Sequence, residues 1–133
     1  MYTQNKQDPM KVISWNVNGI NACIKKGLLN FIKKENADIY CFQEVKSTPC
    51  IKLKNYHQFY LPSKKKGYSG LLTLTKIKPT SIIKNMENKE IDKEARLLTL
   101  EFDNFFLINA YFPHARRRLT RLKFKLKFNK LFS

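Results

Sequence analysis

Apolar positions recur along this chain with two different periods. In Lys11–Asn16, Val12, Ile13 and Trp15 stand among β-formers and stop at Asn18-Gly19, a turn signal, which predicts a buried strand. Between Lys25 and Asn36, Leu28, Phe31 and Ile32 repeat at helical spacing. Asp38–Phe42 is a short apolar run, read as a second buried strand. Strand, helix and strand within about 35 residues form a βαβ pattern and predict parallel pairing.

After Pro49 the period shortens. Residues 56–61, 70–75, 80–84, 96–102 and 105–112 are short β-rich runs separated by turn or charged segments, as in an antiparallel meander. Asp103-Asn104 between the last two reads as a two-residue hairpin turn, although it lacks Gly. The final stretch fits two patterns. Leu122, Phe124, Leu126 and Phe128 alternate with Lys123, Lys125 and Lys127, as in a strand. As a helix, the same stretch carries Leu119, Leu122 and Leu126 on one side and Phe124, Phe128 and Leu131 on the other.

Length and composition narrow the class. A chain of 133 residues with 43% hydrophobic side chains suits one domain with a core. No apolar run approaches the roughly 18 residues of a membrane-spanning helix. The polar segment Met1–Met10 lacks the apolar stretch of a secretory signal. Cys23, Cys41 and Cys50 follow no zinc spacing, so a reduced, cytoplasmic setting is expected. Charge changes the picture most. The 26 Lys and Arg outnumber 10 Asp and Glu, giving +16, and residues 104–133 contain 8 basic and no acidic side chains. That excess calls for a polyanion, nucleic acid or an anionic membrane.

Chemistry that needs carboxylates must therefore use residues up to Asp103. Glu44 lies just past the second apolar strand, where α/β sheets bind ligands, and a carboxylate there can hold Mg²⁺. Alternatively it is a surface Glu paired with Lys46. Asn16 ends the first strand; parallel pairing would bring it near Glu44, and otherwise it caps the turn to Gly19. Tyr111 ends the last strong strand and either meets a phosphate or belongs to the core. Lys64 to Gly70 combines three lysines, Tyr68 and two glycines, which suits a phosphate backbone or a solvated loop. His57 and His114 stand alone in the sequence. No P-loop, GxSxG or HExxH pattern occurs.

Five of these segments occur in an order that resembles a known family. They are Ile13-Ser14-Trp15-Asn16-Val17-Asn18-Gly19-Ile20; Ala37-Asp38-Ile39 with Gln43-Glu44-Val45-Lys46; Gly67-Tyr68-Ser69-Gly70-Leu71-Leu72; Glu94-Ala95-Arg96-Leu97-Leu98; and Asn109-Ala110-Tyr111-Phe112-Pro113. Together they resemble the exonuclease III type of apurinic/apyrimidinic endonuclease, within the endonuclease/exonuclease/phosphatase superfamily. The resemblance implies an α/β chain forming half of a four-layer αββα sandwich, with mixed sheet and flanking helices. Residues 11–133 would be its N-terminal portion, following the polar segment 1–10, with a helix from about Thr120 to Leu131.

The implied reaction is Mg²⁺-dependent hydrolysis of DNA phosphodiesters at abasic sites, often with 3′→5′ exonuclease action, Mn²⁺ being a possible substitute. By the same resemblance Glu44 is a metal ligand, Asn16 belongs to the metal site, and Tyr111 sits at the scissile phosphate. Asn21, Ala22, Lys26, Lys46 and Tyr68 fall where the family touches DNA, and Asn18 stands where some members carry Asp. The family's second half, with Gly-Asp-any-Asn and Ser-Asp-His motifs, has no counterpart in these 133 residues. The chain alone is therefore expected to be inactive. The competing readings are a non-catalytic basic nucleic-acid-binding fragment and a cationic membrane-surface segment resting on the Leu/Phe/Lys tail.

Overall fold

The computed structural model describes residues 9–84 and 89–112. β1 (Val12–Asn16) and β2 (Ile39–Gln43) pair in parallel, with Val12 opposite Ile39 and Asn16 opposite Gln43, as the βαβ pattern predicts. Their connection holds two helices rather than one. α1 (Ile20–Lys25) precedes α2 (Leu28–Glu35), and Gly27 between them has φ 108, a conformation that ends one helix and starts the next. The helix expected from Lys25 therefore begins at Leu28, and Ile20, Cys23 and Ile24 form a short extra apolar face. Two tyrosines dock the end of α2: Tyr40 donates its hydroxyl to the Ile32 carbonyl, and Tyr56 donates to that of Ala37.

β3 (His57–Leu61) and β4 (Leu71–Thr75) are antiparallel to each other, and β4 also pairs antiparallel with β2. The first sheet thus has the order β1-β2-β4-β3. A second, antiparallel sheet follows from β5 (Ser81–Ile83), β6 (Leu97–Glu101) and β7 (Phe106–Ala110), with the short α3 (Lys89–Asp92) between its first two strands. The single meander expected after Pro49 is corrected to two sheets, and only β5-β6-β7 is a meander. The reason is burial. β4 reads Leu-Leu-Thr-Leu-Thr and is buried on both faces, so it takes a central place beside β2. At Asp103-Asn104 the hairpin forms as expected, with the Phe102 amide donating to the Phe105 carbonyl. Neither turn residue has positive φ, so it is not one of the primed turns.

Three layers result among the described residues. One face of the first sheet places Tyr40, Phe42, Leu72 and Leu74 against Ile20, Leu28 and Ile32 of the helices. Its other face places Ile39, Cys41 and Leu71 against Leu98, Leu100 and Phe102 near and within the second sheet. This is an αββ arrangement, and the helix expected from about Thr120 lies outside the described residues. β1 is not the buried strand the sequence predicts. Among the described residues it is the edge of its sheet, and Val12 and Trp15 are 46% and 40% exposed. Trp15 packs edge-on against Phe31 at 5.4 Å.

One buried polar link joins the sheets. The Asn109 side-chain amide donates toward the carbonyls of Phe42 and Leu72 and the Thr73 hydroxyl. Its oxygen accepts from Gln43, whose amide also reaches Ser14 and the Cys41 carbonyl. A buried amide left unpaired costs about 1–3 kcal/mol, so this satisfied network favours one docking register over its neighbours.

Candidate functional site

Because β1 and β2 are parallel and in register, their C-terminal ends lie side by side. Asn16 faces Gln43, and the next residue of β2 is Glu44. From there to Lys46 the backbone is held from two sides. The amides of Gly19 and Ile20 donate to the Glu44 and Val45 carbonyls, and the amides of Val45 and Lys46 donate to the carbonyls of Gly70 and Ser69. Within this frame Glu44 and Lys46 adopt φ of 51 and 67, and Asn18 and Ser69 adopt 46 and 51. Non-glycine residues in this region cost about 1–3 kcal/mol each, and such strain collects at functional sites. Gly70 has φ +96, a backbone conformation that a side chain would strain, and the turn opposite Val45 and Lys46 therefore suits a glycine.

The side chains converge on one carboxylate oxygen. Asn16 donates its amide to Glu44 Oε1 at 2.9 Å, and the Tyr111 hydroxyl donates to the same oxygen at 2.5 Å. Asn16 also caps the turn, because its Oδ1 accepts the Asn18 amide at 3.0 Å. Both readings of Asn16 therefore hold at once. Glu44 is paired with Lys46, as the second reading of it has it: its other oxygen, Oε2, lies 3.6 Å from the Lys46 ammonium. That ammonium donates to Asn18 Oδ1 at 2.6 Å. Burial works against the charged Glu44, but the bonds from Asn16 and Tyr111 and the nearby Lys46 outweigh it and hold the carboxyl below its ordinary range. The Tyr111 phenol is pushed up, by burial first and then by its bond to the Glu44 charge, so it remains a donor.

A second network fixes the two tyrosines. Arg96, 4% exposed, donates through Nε to Glu94 at 3.0 Å, through Nη2 to the Tyr68 hydroxyl at 3.0 Å, and through Nη1 to the Tyr111 carbonyl at 3.3 Å. Tyr68 in turn donates to Glu94 at 3.0 Å, and the guanidinium lies 4.8 Å from the centre of the Tyr111 ring. The planar five-donor fork of Arg suits this set of partners better than an ammonium would. Arg96 and Glu94 stood in the sequence only as parts of a motif. Their position just before β6 was the available signal, since a buried Arg needs acceptors nearby.

The remaining sequence candidates are spread around this centre. Asn21 donates its amide to Ser47 at 2.9 Å and to the Thr48 carbonyl at 3.2 Å, which ties α1 to the loop after Lys46. Ala22 lies exposed on α1, and Lys26 is exposed at its C-terminal cap. A cavity of about 540 Å³ opens beside Lys46 and is walled by Ser47, Thr48, Tyr60 and the Lys64–Tyr68 loop. His57 pairs with Thr75, at the end of the first sheet opposite Glu44. His114 and Arg116 to Arg118 lie outside the described residues.

Among the described residues no group of three or more His, Cys, Asp or Glu side chains is placed to hold a metal ion. What the site offers is one carboxylate oxygen with amide oxygens near it. These are hard donors, suited to a cation that keeps most of its own waters, as Mg²⁺ does. No helix among the described residues is long and apolar enough to cross a membrane.

Comparison with known proteins follows the same lines. A profile of the Endonuclease/Exonuclease/phosphatase family matches residues 13–131. An exodeoxyribonuclease of Bacillus subtilis is 39% identical over 122 residues, covering 89% of this chain and 48% of its own length. The DNA repair nuclease APEX1 of Danio rerio is 40% identical over 124 residues, covering 87% of this chain and 40% of its own. The chain thus spans about half the length, or less, of the curated relatives it matches. The catalytic domain of Xenopus laevis APE2 superposes with a TM-score of 0.77 at 27% identity, covering 92% of this chain and 52% of that domain.

Proposed function

The chain belongs to the Endonuclease/Exonuclease/phosphatase family, and on that premise we propose that it carries the cation-holding and phosphate-orienting part of a DNA phosphodiesterase acting at abasic sites or 3′ ends. The observation that carries this reading is the convergence of Asn16 and Tyr111 on Glu44 Oε1, with Oε2 turned to a cation.

Glu44, with the amide oxygen of Asn16 beside it, would hold Mg²⁺ or Mn²⁺. Bound there, the metal supplies Lewis-acid polarisation of a phosphoryl oxygen and offsets charge on the leaving oxygen. The protein's own groups do the rest. Tyr111 keeps its proton at neutral pH and orients the carboxylate. Arg96 holds Tyr68 by its hydroxyl and Tyr111 by its carbonyl, which would fix both tyrosines in place beside a phosphodiester. Lys46, Lys64, Lys65 and Lys66 supply the positive wall along which a DNA backbone lies.

Hydrolysis also needs a group to activate water. Glu44 is bonded twice at Oε1 and paired at Oε2, and Glu94 is committed to Arg96 and Tyr68. His57 is at the wrong end of the sheet. Positioned acid–base help is worth about 10²–10⁴-fold, so the 133 residues alone should not incise DNA measurably. A 5′-labelled abasic duplex, incubated with Mg²⁺ or with a chelator, tests this. Chelator-sensitive incision is expected only after co-folding with the C-terminal half of a related exonuclease III-type enzyme, and Glu44→Gln should abolish it. Incision by the chain alone would overturn the incomplete-site reading, and incision that survives Glu44→Gln would overturn the role of Glu44.

A further inference from the structure

We propose that Lys46 is a resident counter-cation, seated on the Glu44 oxygen a divalent metal would take and released toward a DNA phosphate when the metal arrives. The inference rests on the reading of Glu44 as a metal ligand and concerns what fills that position beforehand. Glu44 Oε1 already accepts two hydrogen bonds, so Oε2 is the oxygen left to meet a cation. The cation that meets it is the Lys46 ammonium, 3.6 Å away and bonded to Asn18 Oδ1 at 2.6 Å.

The backbone explains why the ammonium sits there. Lys46 follows Glu44 by two residues, its φ of 67 turns the chain back on itself, and its amide is anchored to the Ser69 carbonyl at 2.8 Å. Asn18, with φ 46, is held in turn by Asn16. The seat is therefore built from strained residues on three segments, and an extended Lys at this position would point elsewhere.

A divalent cation binds carboxylate oxygen at about 2.1 Å. It would then share Oε2 with an ammonium only a few ångströms off, and like charges at that distance repel. The ammonium has a flexible four-carbon stem and an adjacent outlet, because Lys46 also lines the cavity walled by Lys64 to Tyr68. Displaced there, it adds one positive charge to the surface that would follow a phosphate backbone. Two consequences follow. The ammonium competes with the metal, so its removal tightens metal binding. Metal and polyanion reinforce each other, since each favours the displaced position of Lys46, and such coupling is reciprocal.

The experiment measures free Mn²⁺ by electron paramagnetic resonance with the 133-residue chain, Lys46→Met, Lys46→Arg and Glu44→Gln, each checked for an unchanged circular dichroism spectrum. Lys46→Met removes the charge and keeps an unbranched stem at the same backbone angle. It should bind Mn²⁺ about fivefold more tightly, the scale of an exposed ion pair, while Lys46→Arg stays near the parent. Anisotropy of a labelled abasic duplex at constant ionic strength should show Mn²⁺ raising affinity more for the parent than for Lys46→Met, and an equal gain in both overturns the release of Lys46. Equal or weaker Mn²⁺ binding by Lys46→Met, with loss in Glu44→Gln, overturns the counter-cation and leaves Glu44 as the ligand. Unchanged binding in Glu44→Gln overturns the metal reading itself.

Discussion

Replacing Tyr111 by Phe removes one oxygen atom and leaves the ring where it is. The guanidinium of Arg96 still faces it at 4.8 Å, and the Tyr111 backbone keeps its bond to the Arg96 carbonyl. What is lost is the donor to Glu44 Oε1. A hydrogen bond to a charged group contributes about 1.5–3 kcal/mol. Glu44 is 21% exposed, so water replaces part of that, and the lower bound applies. Without that donor the Glu44 carboxyl should titrate higher in Tyr111→Phe than in the parent. The parent carboxyl lies below its ordinary value, so the stability it contributes is complete above that ordinary value and is lost as pH falls through the folded one. The variant should therefore be less stable than the parent by roughly 1.5 kcal/mol at pH 7, and the gap should close under acid, where both carboxyls are protonated. The assay is ¹³C NMR of the glutamate side-chain carboxyls against pH, with Glu44→Gln assigning the resonance. An unchanged or lowered midpoint would refute the view that the phenol, together with Asn16, keeps this carboxylate charged.

Two further outcomes follow from the same geometry. Asn109→Leu strands the Gln43 amide without its cross-sheet acceptor and should lower the free energy of unfolding by about 2–3 kcal/mol in urea titration; a loss below about 0.5 kcal/mol, the size typical of surface changes, would mean the network does not pin the sheets. Binding of an abasic duplex should weaken with salt, with a slope of log affinity on log salt near about −4.5 if five phosphates are neutralised, and a flat response would remove the electrostatic reading of the +16 charge.

Much of this was legible from residue order, for reasons that differ by element. The parallel pair came from two apolar runs separated by a helical period, and Asn16 and Glu44 met because both close those runs. α1 was missed because six residues give the period less than two turns, and Gly27 splits what otherwise reads as one segment. The division into two sheets was hidden because β2 and β4 are 27 residues apart between Gln43 and Leu71, and no local pattern states which strands will pair. β1 looked buried because its residues are apolar, yet an edge strand exposes such side chains when it has one neighbour. The bonds of Arg96 to Glu94, Tyr68 and Tyr111 depend on the docking of both sheets, so only coordinates display them.

The contiguity of the two sheets bears on how the site comes into being. Among the described residues the first sheet uses strands up to Thr75, and the second uses strands from Ser81 to Ala110. The first sheet closes across separations as long as that from Ile39 to Thr75, yet a chain emerging in order from a ribosome can assemble it before the last strand of the second is synthesised. Asn16 and Glu44 then meet early, while Tyr111 arrives last. The bond from the phenol to the carboxylate is therefore a clock for the final step: it forms when one prefolded sheet lands on the other, and its appearance would time that landing.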